Sequence, residues 1–280
     1  MSSFHLSLKV NRLPRYSIRI VRQTLQELEH SIQLVSRKLF LRIRTGQAEP
    51  RLVEISTVYF RAGYTPDDYT SDRIFGVRAL LERSAAIKCP SIALQLAGSK
   101  KVQQVLTRPG VLEKYLGDSS RWGHPTFCQS EIDEVRSSWM EMWGLEDIGG
   151  VEKAREAASS LVLKPQREGG GNNVYKQAIP AFLDRLHPVE RSGWIAMRLI
   201  VAPEGMGNYL LRADNGDGGR VVKAEVVSEL GIFGWALFGH GEVVDEKTVG
   251  WLLRTKAKDS DEGGVAAGFS VIDSVVLVDS

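Results

Sequence analysis

Strand-like and helix-like hydrophobic patterns alternate through the first part of the chain. Tyr16 to Val21 reads as a strand through Ile18, Ile20 and Val21, and Gln23 to His30 as the start of a helix. The β-branched and aromatic run Val53 to Phe60 predicts a strand that enters Arg61-Ala62-Gly63-Tyr64, where Gly63 permits a sharp turn. Thr65-Pro66-Asp67-Asp68 then offers a cap, a proline at the first helical position and acidic residues for the positive end of a helix dipole. Leu80, Leu81, Ser84 and Ala85 continue at helical spacing until Cys89-Pro90. Ser99 can cap a helix over Lys100 to Leu106, which Arg108-Pro109-Gly110 stops. Glu131 to Trp143 and Val151 to Ser160 read as two further helices, with Trp139, Met140 and Trp143 in the core.

The second part changes character. Leu161 to Lys164 predicts a short buried strand that runs into Pro165-Gln166-Arg167-Glu168-Gly169-Gly170-Gly171-Asn172-Asn173. Hairpin signals follow. Asp214 to Gly219 separates two strand-like runs, and Gly239-His240-Gly241 separates Phe233–Phe238 from Val243–Val244. Gly263 to Gly268 is a small-residue loop before a final strand, Phe269 to Val278.

The chain has 280 residues, 43% hydrophobic, 25% charged and 8% aromatic, which describes a globular protein with room for two structural units. The most apolar stretch, Val226 to Phe238, contains Glu229, and no run approaches the roughly 18 apolar residues of a membrane span. A net charge of +2 argues against nucleic acid or a membrane surface as the partner. The charge is unevenly placed: residues 1 to 45 are +7 and the remainder is −5. The acid-free start, with Arg12, Arg15, Arg19 and Arg22, has the composition of a mitochondrial presequence, but the strand and helix signals there favour a solvated basic face and a cytoplasmic chain. Cys89 and Cys128 lack metal or redox spacing and fit two free thiols, and the five histidines form no zinc pattern.

Three segments could carry chemistry. Consecutive glycines after a strand can turn backbone N–H groups onto phosphate oxygens, although such a run is also an ordinary flexible turn. Lys164, Arg167, Glu168, Asn172 and Asn173 add cations, a possible metal ligand and amides around it. In Leu252 to Lys256, an extended backbone places Arg254 and Lys256 on one face, suited to an anion between them or to solvent. The apolar loop after it fits a lid. Glu225 and Glu229 likewise share a strand face. Arg61, at the end of a strand and before a turn, stands where ligands dock in open α/β sheets and could clamp a carboxylate.

The segment Lys164 to Tyr175 resembles the glycine-rich loop of eukaryotic glutathione synthetase, an ATP-grasp ligase, most closely its fungal branch. Tyr59 to Tyr64, Leu81 to Ser84, Gln95 to Gln104, Ser228 to Gly234, Leu253 to Lys256 and Gly263 to Gly268 resemble further family segments in the family's order. The resemblance implies an α/β ATP-grasp fold: an atypical segment 1–15, a parallel-sheet substrate-binding domain 16–107, and an antiparallel nucleotide-binding core with its lid, 108–280. It implies ligation of γ-glutamylcysteine and glycine at the expense of ATP, through an acyl phosphate, with Mg²⁺ as cofactor and a homodimer as assembly. Lys100 and Lys164 match phosphate contacts. Glu168 matches a magnesium ligand, and Gly169, Gly170, Gly171, Asn172, Asn173 and Tyr175 match the loop over the nucleotide. Met197, Arg198, Leu199 and Ile200 fall in the adenine-contacting segment, with Glu229, Lys256 and Glu262 as further nucleotide contacts. Arg61, Ala62, Gly63, Tyr64, Arg254, Val265 and Ala266 match peptide-substrate positions, and Arg254 and Lys164 match catalytic cations.

Two departures qualify that picture. Arg198 and Leu199 stand where the family usually has Glu followed by Lys or Leu. Met1 to Arg15 does not resemble the family's N-terminal portion, which supplies two further magnesium ligands and part of the peptide pocket. The alternative expectation is therefore a catalytically impaired nucleotide-binding remnant. A ligase for another acceptor amino acid fits less well, given Arg254 and Val265-Ala266.

Overall fold

The computed structural model describes residues 18–44, 49–118, 127–167, 171–212, 220–239, 242–261, 265 and 270–275. The chain divides into two compact units, Met1–Ser99 and Lys100–Ser280.

The first unit opens with α1 (Leu25–Ser31), which a capping box starts: the Thr24 hydroxyl accepts from Glu27 N at 3.1 Å, and the Glu27 carboxylate accepts from Thr24 N at 2.6 Å. β1 (Ile32–Val35), β2 (Lys38–Ile43) and β3 (Arg51–Ile55) form an antiparallel sheet in that order. β4 (Thr57–Tyr59) then pairs in parallel with β5 (Ile87–Cys89), on either side of α2 (Asp72–Arg83). α3 (Ile92–Ala97) closes the unit. Leu39, Phe60, Val77, Leu81 and Ala86 make the core, with Leu25, Leu28 and Ile55 packed against it.

Four local expectations differ from the structure here. Ile18 to Thr24 has no regular structure: Arg19 and Arg22 interrupt the apolar positions, Ile18 and Val21 are exposed, and among the described residues no strand pairs with them. The run Val53 to Phe60 is broken at Ser56, whose carbonyl accepts from Ile87 N at 2.8 Å. The Thr65 to Asp68 signal makes a 3-10 turn over Pro66–Asp68, and α2 starts later, at Asp72. That helix ends at Arg83, because the Ser84 hydroxyl takes the Leu81 carbonyl at 2.7 Å, and Cys89 belongs to a strand. Cys89 and Cys128 are both free and exposed.

The second unit begins with α4 (Lys100–Leu106), α5 (Val111–Leu116) and α6 (Gln129–Ser137). The helix expected to reach Trp143 stops at Ser137, and Trp143 instead enters β6 (Met142–Gly144). α7 (Gly150–Glu156) leads through a 3-10 turn to β7 (Leu161–Pro165), followed by β8 (Val174–Tyr175), α8 (Ile179–Arg185) and β9 (Trp194–Arg198). These strands form an antiparallel sheet in the order β6-β9-β7-β8. Leu161, Leu163, Ile179 and Ala196 are fully buried in its core with Trp143 and Leu145. The burial of each leucine or isoleucine there contributes about 1.5–3 kcal/mol.

A second antiparallel sheet runs β10 (Gly207–Arg212), β11 (Arg220–Gly239), β12 (Glu242–Ala257) and β13 (Ser270–Asp273). Both expected hairpins are present, with strands far longer than their apolar runs. At its base Val226, Ala257 and Leu210 are buried, and Thr255, also buried, shares its hydroxyl with Ser228 at 2.9 Å and Asp273 at 2.7 Å. Among the described residues no helix is long and apolar enough to cross a membrane.

Candidate functional site

The glycine-rich segment follows the end of β7, an inner strand paired with β9 on one side and β8 on the other. Leu161 and Leu163 anchor β7 in the core, and Lys164, partly buried, lies opposite Ile195 of β9. Just beyond, the Gln166 side-chain oxygen accepts from Lys101 N at 2.9 Å. That bond ties the start of α4, which carries Lys100, to the end of β7, which carries Lys164. The Lys100 ammonium donates to Gln103 at 2.9 Å. Gly171 has φ +85°, a left-handed backbone that favours glycine.

The far side of the loop is tied to the second sheet. Asn173 donates to the Tyr175 hydroxyl at 3.0 Å, and that hydroxyl donates to the Asp261 carbonyl at 3.2 Å. The Lys256 ammonium donates to the carbonyls of Ser260 at 2.6 Å and Asp261 at 3.3 Å, and Lys176 pairs with the Asp261 carboxylate at 3.2 Å. Tyr175, Lys176 and Lys256 are thus gathered on the two residues 260–261, with Asn173 joined to them through the Tyr175 hydroxyl. On the same face of β12, Arg254 forms an ion pair of 2.7 Å with Glu229, its register partner on β11.

Met197 to Ile200 finishes β9 and leaves the sheet. Met197 pairs with Val162 and Met142, Leu199 N donates to the Ser160 carbonyl at 2.9 Å, and Ile200 is exposed. The Arg198 guanidinium donates to Glu141 at 3.0 Å and to the Ser160 hydroxyl at 2.8 Å. It is thereby engaged with the protein's own groups. Lys153 and then Arg198 hold the Glu141 carboxyl below the usual carboxylate range.

The first unit presents the Arg61 turn. Gly63 has φ +79°, and an added Cβ would stand 2.8 Å from the Tyr69 hydroxyl, so both conformation and space demand glycine. The Asp68 carboxylate accepts from Gly63 N and Tyr64 N at 3.0 Å each and from Thr65 N at 3.2 Å. The Gly63 carbonyl accepts from Gln95 at 2.8 Å and from the Tyr69 hydroxyl at 3.2 Å. Burial raises the pKa of the Tyr64 hydroxyl, which donates to the Phe60 carbonyl at 3.0 Å, against the opposing influence of Arg61.

Glu168, Gly169, Gly170, Glu262 and Ala266 lie outside the described residues, and Val265 is partly buried. The contacts made by Gln166, Asp261, Asp68 and Gln95 had no motif to announce them: Gln166, Asp261 and Gln95 meet partners distant in sequence, and Asp68 reaches back to the turn before it. Among the described residues, no three His, Cys, Asp or Glu side chains gather as a metal cage.

A solved structure similar to this chain shows the class of fold. The apo form of a glutathione synthetase-like effector from Globodera pallida aligns with a TM-score of 0.60 at 21% identity, over 96% of this chain and 52% of that one. The architecture is α/β of the ATP-grasp type. Residues 2–277 match the model of the eukaryotic glutathione synthase ATP-binding domain, and the chain belongs to that family. It is 39% identical over 266 residues to the chloroplastic glutathione synthetase of Arabidopsis thaliana, covering 94% of this chain and 45% of the relative. With human glutathione synthetase the identity is 42% over 271 residues, 94% of this chain and 52% of the relative. The chain spans about half the length of the curated relatives it matches.

Proposed function

We propose that the chain acts in glutathione synthesis, joining γ-glutamylcysteine to glycine with cleavage of ATP to ADP and phosphate. The observation that carries this reading is the gathering of Tyr175 and Lys256 on residues 260–261, with Asn173 bound to the Tyr175 hydroxyl, in a chain of this family. It brings the exit of the glycine-rich loop to the strand that bears both Arg254 and Lys256. In the reaction the dipeptide carboxylate takes the γ-phosphoryl group and releases ADP. The glycine amine then attacks the acyl carbon and expels phosphate. Fixed cations offset the charge that collects on the phosphoryl and acyl oxygens. Lys100, Lys164 and Lys256 take that role toward the nucleotide, and Arg254 and Arg61 toward the dipeptide. Glu229 would orient Arg254 and contact the nucleotide.

Mg²⁺ with Glu168 as ligand belongs to the same reading. Among the described residues there is no cluster of acidic side chains to hold it. A homodimer in the cytoplasm completes the proposal.

The test is ADP release by the purified chain with Mg-ATP and γ-glutamylcysteine, with and without glycine. Glycine-dependent release with glutathione formed is expected. A folded chain that binds ATP and releases no ADP would instead make it a nucleotide-binding protein without ligase activity.

A further inference from the structure

Three successive amides, those of Gly63, Tyr64 and Thr65, converge on one oxygen of Asp68. Successive N–H groups around a left-handed residue form a concavity that binds anions. Here the chain's own carboxylate fills it through charge-assisted bonds, which are the stronger kind. The carbonyl of Gly63 is held as firmly, by Gln95 of α3 and by Tyr69. Tyr69 is fixed in turn by Arg78, a buried side chain 3.2 Å from its hydroxyl and 3.8 Å above the Phe60 ring. Both polar groups of Gly63 are therefore engaged, and the short turn carrying Arg61 has little freedom. Arg61 itself is exposed. Since Asp68 occupies the amide concavity, a substrate carboxylate is left to the guanidinium.

We infer that Asp68 is a positioning residue, which fills the amide concavity of residues 63–65 and, with Gln95 on the Gly63 carbonyl, aims Arg61 at the peptide substrate. The inference rests on the proposed function for the role of Arg61. A misplacement of about 1 Å in such a group costs up to about 100-fold.

The experiment compares the wild type with Asp68→Ala and Asp68→Asn in two measurements: affinity for γ-glutamylcysteine and for an ATP analogue by calorimetry, and amide exchange at residues 63–65 by NMR. In Asp68→Ala the dipeptide affinity is expected to fall about 10- to 100-fold with nucleotide affinity unchanged. The three amides are expected to exchange at least about tenfold faster. Asp68→Asn, which keeps an acceptor oxygen, should recover much of both. Should Asp68→Ala unfold, Gln95→Met takes its place, with the same loss of dipeptide affinity expected. Equal dipeptide affinity in wild type and variants overturns the inference. A wild type that binds no dipeptide overturns the functional reading instead, and wild-type exchange rates in Asp68→Ala would then still remove the role assigned to Asp68.

Discussion

Arg254 and Glu229 face each other directly across β11 and β12, with a guanidinium nitrogen 2.7 Å from the carboxylate. Both side chains are more than a third exposed, so the pair adds less than about 1 kcal/mol to stability. Arg254→Ala should therefore leave the melting temperature almost unchanged. If Arg254 binds the dipeptide, the same change should lower kcat/KM for γ-glutamylcysteine by at least about tenfold. A variant with wild-type kcat/KM would remove Arg254 from the substrate site.

Lys256 presents a different balance, because its ammonium bridges two backbone carbonyls on 260–261. Lys256→Ala should loosen that segment, and the exit of the glycine-rich loop bound to it, from β12 and weaken binding of an ATP analogue about tenfold or more. Calorimetric titration decides it. Affinity equal to wild type would mean that Lys256 has a structural role only.

The sheet beneath Lys164 offers a check on the fold itself. Leu163 is fully buried between α8 and the paired strands. Leu163→Ala should cost about 2–5 kcal/mol, read from the urea midpoint. A loss below about 1 kcal/mol would show that β7 is not packed as described.

Gly63 tests the other unit. Gly63→Ala forces a side chain into a left-handed conformation and toward the Tyr69 hydroxyl. A cost of about 1–3 kcal/mol is expected. Circular dichroism melts of the two proteins should separate accordingly, and coincident curves would contradict the turn geometry.

Glu141 predicts part of the acid sensitivity. Lys153 and Arg198 lower its pKa from the ordinary 4.5, so folding favours its charged form. The stabilisation is complete above the unfolded value and disappears as the pH falls through the lowered folded value. Glu141→Gln should therefore destabilise near neutral pH and converge with the wild type in acid, once the pH lies below the lowered folded value. A constant gap between their melting temperatures across that range would exclude the linkage. The side chain is nearly half exposed, and the effect is correspondingly small.

Much of this site was legible from local pattern. Leu161 to Lys164 reads as buried because a short aliphatic run meets a glycine cluster, and β7 lies there. Arg254 and Lys256 share a face because an extended strand leaves no alternative. What escaped depends on partners distant in sequence. Cys89 continues a helical signal, yet Ile87–Cys89 pairs with Thr57–Tyr59. Trp143 also fits a helix, but its pairing with Ala196 places it in a strand. Asp68 looked like a helix-start acid, and its backward reach to three amides follows from Gly63 lying five residues earlier in a left-handed turn.

Thr255 has a consequence beyond its own burial. A strand that slips by one residue against its neighbours exchanges its two faces. In β12 such a slip would carry Arg254 and Lys256 into the apolar interior and expel Thr255. The hydroxyl acts as a dowel: it meets Ser228 on one flank and Asp273 on the other only when all three strands are aligned. Two cations are kept on the outer surface of a long ribbon by a neutral side chain that touches neither of them.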